Sequence, residues 1–388
     1  MNKPLRTLLL LLALTALGVN SLQSQDTDRP QIKFSGYVQT LLQVGNDYNA
    51  FTVGKGVERT TDIIQSRLGI RRASLVTEAR WDELSAQIII NLRESGITPN
   101  RVMITYAPRN TGFALDAGLM KVPFGNEISR YAGAIELIDR PLFLSRMAPV
   151  AIDLGVSARY ATPADKPTGA NFSLSALSGN SFNSMPQSIP NLLGTAAVHH
   201  QTGSTYLLGG ISAYVGGVEL SGKRYARQYY GAHAQVKSRY NGGELDLRAE
   251  GVWGRQPGTR TMAYTYDPKG AGIAPGDMLV RPFTGLTLLA ANRFTGTPLR
   301  LFARYTYYDQ NTNFKQEWSE HPLEIQNPDL EGVKHSVRAG AELFFFRDYL
   351  RLVLGYQYTR TVNGFTASGA PTYAPDMHIG MLALQYSF

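Results

Sequence analysis

From residue 31 onward, apolar and polar residues alternate with a period of two, the pattern of a strand with one apolar and one polar face. Sixteen segments carry it: 32–45, 65–80, 83–93, 101–107, 113–122, 152–162, 171–178, 193–200, 205–215, 227–240, 244–255, 282–293, 299–309, 333–346, 349–360 and 377–388. The last is the clearest, with Gly380, Leu382, Leu384, Tyr386 and Phe388 on one face and an aromatic end to the chain. The connections alternate short and long. With both ends of the chain on one side, every short turn falls on that rim and every long loop on the other. An even number of antiparallel strands arranged this way predicts an all-β transmembrane antiparallel β-barrel of about 16 strands. Tyr106, Tyr160, Trp253, Tyr305, Tyr307, Tyr356 and Tyr358 lie at outward strand ends, where aromatic girdles form.

One connection breaks the pattern. Residues 122–150 alternate poorly and mix apolar bulk (Phe124, Ile135, Leu137, Ile138, Leu142, Phe143, Leu144) with charge. A connection that long without a strand is usually functional. Its apolar side chains need a surface to pack on. In a barrel that surface is the inner wall, so this third long loop folds inward as a constriction. Lys121, Arg130, Arg140 and Arg146 would stand at the narrowing, and rings of Arg and Lys are how anion pores select. Glu127, Glu136 and Asp139 in the same segment weaken that role, the alternative being that Asp139 and Glu136 neutralise Arg140 and Arg146 and fix the loop to the wall.

Polar strand faces point to the channel in such a barrel. They predict Arg93, Arg159, Arg248, Arg300, Arg304 and Arg338 as pore lining, with Lys237, Arg239, Lys334 and Arg351 beside them. Asp153, Glu244, Asp246, Glu250 and Glu342 share those faces, so the lumen is mixed with an excess of base. Some of these charges pair across strands and hold the wall.

Composition narrows the class. Residues 1–24 carry Lys3 and Arg6 ahead of an apolar run ending near Val19, the layout of a secretory signal peptide; 25–388 would be the mature barrel. The formal charge of +8 loses two units with that segment. Cysteine is absent and Gly (38) and Tyr (21) are plentiful, which suits a barrel that closes its own hydrogen-bond network. No HExxH, GxSxG or phosphate-binding glycine loop occurs, and His199 and His200 are adjacent in a strand, so their rings face opposite sides. The expectation is no enzyme, no cofactor, no metal and no nucleic acid. Outer-membrane lipid and small solutes are the expected partners.

The runs GLMKVPFGNE (118–127), IDRP (138–141) and DLGVSARY (153–160) resemble the phosphate-selective porin O and P family, with a weaker echo in RLGIRRASLVTEAR (67–80). The resemblance implies a bacterial outer-membrane porin, a homotrimer, with its third loop in the lumen. It also implies that the terminal Phe388 is read by the outer-membrane assembly machinery. Family members line the pore with an arginine ladder and place lysines at the constriction. Lys121 sits in the motif, but the other constriction lysines do not align and acids share the luminal faces. The implied function is passive diffusion of small polar solutes with a mild preference for anions, phosphate being the narrower case. The alternative is a non-conducting barrel that serves as a structural or partner-binding subunit.

Overall fold

The computed structural model describes residues 30–46, 51–53, 64–94, 96–130, 132–136, 139–146, 152–163, 165–179, 189–259, 272–316, 332–365 and 369–388. The signal-peptide segment 1–24 lies outside them. The strands are β1 (Gln31–Gly45), β2 (Gln65–Trp81), β3 (Leu84–Arg93), β4 (Gly96–Tyr106), β5 (Phe113–Lys121), β6 (Ile152–Ala161), β7 (Thr168–Leu177) and β8 (Asn191–Thr202). They continue as β9 (Thr205–Leu220), β10 (Lys223–Tyr240), β11 (Gly243–Gly258), β12 (Leu279–Phe294), β13 (Leu299–Asp309), β14 (Val333–Phe345), β15 (Leu350–Phe365), β16 (Pro371–Tyr373) and β17 (Met377–Ser387). Neighbours pair antiparallel around the sheet, and β17 closes on β1 from Tyr37↔Ser387 to Gly45↔Ile379. The three-residue β16 pairs only with the far end of β15, so sixteen strands form the closed wall. Closure leaves no sheet edge running the length of the wall, which is what lets strands cross a bilayer.

Alternation sets the two faces. On β17, Leu382, Leu384 and Tyr386 point out and are exposed, while Met381, Ala383 and Gln385 point in and are buried. The same outward exposure recurs at Ile104, Val156, Leu174, Ile211 and Leu354. Among the described residues no helix is long and apolar enough to cross a membrane.

Two connections on the long-loop rim are tighter than the sequence pattern suggests. Residues 216–226 are mostly strand, because Ser221 (φ 51°) and Gly222 (φ 78°) make a two-residue turn that lets β9 and β10 pair on to Leu220↔Lys223. Asn191 anchors that extension by accepting the Gly217 N–H at 2.9 Å. Likewise β4 starts at Gly96 (φ 117°), directly after the end of β3.

The interior is not an empty tube. Between β5 and β6 the chain forms two five-residue helices, Gly125–Ser129 and Leu142–Arg146, and both lie inside the barrel. Their side chains Phe124, Ile128, Phe143 and Leu144 join a buried cluster with Tyr214, Tyr229, Val252, Phe283 and Tyr308 from the wall. Phe124, Ile128, Phe143 and Leu144 are thus spent on the inner face of β9–β13, and Ile135 packs on Tyr37 of β1, while Leu137 and Ile138 lie outside the described residues.

Candidate functional site

The inward loop is held by shape and by charge. Inward-facing Gly231 of β10 and Gly285 of β12 leave room for its two phenylalanines. A Cβ on Gly231 would sit 2.9 Å from the Phe124 ring, and one on Gly285 would sit 2.6 Å from Phe143. Gly125 has φ +65°, a conformation that a side chain rarely adopts. The backbone N–H groups of Asn126 and Glu127 donate to the Glu250 carboxylate at 2.9 and 2.8 Å, and the Gly125 N–H donates to Ser212 Oγ at 3.0 Å.

Arg248 is the hub of the charged contacts. It is 3% exposed and reaches Glu127 at 3.0 Å, Glu136 at 2.6 Å and Asp246 at 2.8 Å. Arg130 and Arg300 also reach Glu136, at 3.2 and 3.5 Å. Arg300 pairs further with Glu342, which Arg351 approaches at 3.4 Å. On the other flank Asp139 pairs with Arg71 at 2.5 Å, and Arg304 donates to its backbone carbonyl at 2.9 Å. Burial pushes the Glu136 carboxyl up, but the hydrogen bond and charge of Arg248, with Arg130 and Arg300, outweigh it and hold the group at about 2. Asp139 is treated the same way: burial raises it, and Arg71 and Arg338 bring it below its ordinary value.

The predicted residues therefore divide. Arg248, Arg300 and Arg304 face inward but are spent on the loop. Arg130 pairs with Glu136, and Arg140 donates to the carbonyls of Glu127, Ile128 and Arg130 at 3.2, 3.4 and 3.0 Å. Lys121 also donates to the Arg130 carbonyl. Arg159 pairs with Asp116 at 2.8 Å near the short-turn side, and Arg338 stands directly opposite Arg304 across β13 and β14. The side chain of Arg146 lies outside the described residues.

An open chamber of about 530 Å³ lies on the opposite side, between the loop and the wall of β1–β4. Arg72, Arg93, Arg101, Lys121 and Arg140 line it, and among the described residues Glu78 is the one acidic side chain that does. Two of these cations were not legible from alternation, and two β-bulges explain why. At the first, Gln39 pairs with Arg72 and Thr40 with Ile70, leaving Arg71 as the extra residue. Consecutive Arg71 and Arg72 then both face in, one toward Asp139 and one into the chamber. At the second, Ile89 pairs with Arg101 and Ile90 with Pro99, so Asn100 is extra and both Asn100 and Arg101 reach the chamber. The adjacent arginines and the Pro-Asn step were the only signals available in the sequence.

The phosphate-selective porin O and P family matches residues 38–254, more than half of the chain. The chain belongs to that family. This porin is a protein of the bacterial outer membrane, and its fold is that of a channel. Solved structures agree on the fold at low identity. The outer-membrane channel DcaP of Acinetobacter baumannii is 14% identical with a TM-score of 0.55, covering 93% of this chain and 98% of that one. An anion-selective porin from Comamonas acidovorans is 11% identical at TM-score 0.54, covering 92% and 100%. OmpT of Vibrio cholerae, in trimer form, is 11% identical at 0.53, covering 93% and 100%. No curated protein matches the porin. Among the described residues no cluster of three His, Cys, Asp or Glu could hold a metal ion.

Proposed function

We propose that this outer-membrane channel passes small polar solutes passively and prefers anions. One observation carries the reading: among the described residues, five cationic side chains and one acidic one line the open chamber beside the inward loop. Positive charge focused between low-dielectric walls raises the local concentration of anions. Lys121 and Arg140 line the chamber together with Arg72 and Arg101, where loop and wall meet. Phosphate would be one such anion; the family's description points to it, and the chamber's charge suits it.

The porin is also proposed to be a homotrimer, by likeness of fold to the Vibrio cholerae OmpT, which has a trimer form. Bilayer lipid would contact the outward apolar residues. Phe388, half exposed and stacked on Tyr386 at 6.2 Å, is available for the assembly machinery to read.

Single-channel recording in a planar bilayer under a KCl gradient tests the reading. The expected result is a stable conductance whose reversal potential lies on the anion side. Replacing Arg101 and Lys121 by Gln should move it toward zero. A cation-side potential, or no conductance from folded protein, would overturn the proposal.

A further inference from the structure

The chamber has a feature that a path for bare inorganic ions does not require. Polar residues are expected on luminal faces, and β2 and β3 follow that rule at Arg72, Ser74 and Glu78 and at Gln87, Asn91 and Arg93. They break it at Val76 and Ile89, which both line the chamber. These two residues are direct cross-strand partners, Val76↔Ile89, and Ile89 is in turn opposite Arg101 on β4. Cross-strand partners have Cβ atoms about 4.5–5.5 Å apart. Arg101 therefore borders a two-residue apolar shelf, with its Nη1 donating to Gln87 Oε1 at 2.5 Å. The pattern recurs on the next strands of the same wall, where Lys121 of β5 is directly opposite Ile152 of β6 and both line the chamber. The second β-bulge is what turns Arg101 to the shelf, since it resets the alternation of β4 just before that residue.

We infer that the chamber takes organic oxyanions with an apolar body, a carboxylate or phosphate group meeting Arg101 or Lys121 while a ring or chain rests on Val76 and Ile89. This rests on the anion-channel reading and narrows its substrate class. A bare phosphate uses the charges and leaves the shelf wet. An aromatic dianion of equal charge uses both, and the apolar area it takes from water adds to its affinity. Val76 and Ile89 are each 8% exposed, so most of the apolar area taken from water is the ligand's own, and some 50–60 Å² in all corresponds to about tenfold in affinity.

The test is block of chloride current through the reconstituted full-length porin by phthalate, phenyl phosphate and inorganic phosphate, at a pH where all three are dianions. Phthalate and phenyl phosphate are expected to block at about tenfold lower concentration than phosphate. The pair Val76→Ser and Ile89→Ser should bring both organic anions to the potency of phosphate measured on the same variant. Equal potency of the three anions on the unaltered protein, with an anion-side reversal potential, would overturn this inference and leave the channel reading standing. Organic block that survives the serine pair would overturn it as well. A cation-side reversal potential would remove the reading on which it rests.

Discussion

At the residue scale, Arg248 decides whether the loop stays down. Three carboxylates converge on it, and two of them, Glu127 and Glu136, belong to the loop. Removing one partner of a buried ion cluster costs roughly 3–5 kcal/mol because the remaining charges stay uncompensated. Arg248→Met should therefore release the loop while the wall, held by backbone ladders, remains intact. Larger and noisier single-channel conductance with an unchanged barrel band is the expected outcome; unchanged conductance would place the anchor elsewhere. Acid should act through the same contacts. Glu136 is held at about 2 against an ordinary value of 4.5, so it binds fewer protons in the docked loop than in the released one. Its contribution is complete above pH 4.5 and is lost as pH falls from there toward 2. Conductance recorded across that window should change progressively, and Glu136→Gln should blunt the change.

At the element scale, the strands were legible because a half-buried strand repeats every two residues, and the inward loop was legible because apolar bulk without that repeat needs another surface. Residues 216–226 were misread as a connection because nothing in the alternation marks a two-residue turn at Ser221-Gly222. The bulges at Arg71 and Asn100 escape a simple count for a related reason: each inserts one residue and flips every later side chain. Alternation could name Arg248 and Arg300 as inward, but not that the loop's own carboxylates would consume them. The packing of the loop was equally hidden, since Gly231 and Gly285 read as ordinary strand glycines until Phe124 and Phe143 are placed above them. Gly285→Leu should displace the helix at Leu142–Arg146, with an overpacking cost of about 1–3 kcal/mol. Gly194→Ala is the control, because a Cβ there meets nothing within 4 Å. Protease accessibility of the loop, measured on both variants, should rise for the first alone.

At the scale of the whole molecule, the lumen is asymmetric. The loop and its apolar cluster fill the side of β9–β13, and the open chamber runs along β1–β4. In the proposed channel, permeating ions would follow the wall that carries Arg72, Arg93 and Arg101, while acids such as Glu342 and Asp246 are engaged in ion pairs. Two modes of selection make opposite predictions for salt. If the cations act as a field across a water-filled gap, their reach is the Debye length, about 30 Å at 0.01 M, 10 Å at 0.1 M and 3 Å at 1 M. Anion preference should then be greatest in dilute KCl and decline steeply toward 1 M. If they act by direct contact with a dehydrated ion, the preference should be nearly independent of salt. The chamber's volume of about 530 Å³ favours the field, because it can hold an ion together with its hydration water. Permeability ratios measured over that salt range should fall with concentration. Arg101→Gln with Lys121→Gln should lower the dilute-salt ratio most and the 1 M ratio least. A flat ratio would instead assign selection to close contact at Lys121 and Arg140, where loop and wall meet.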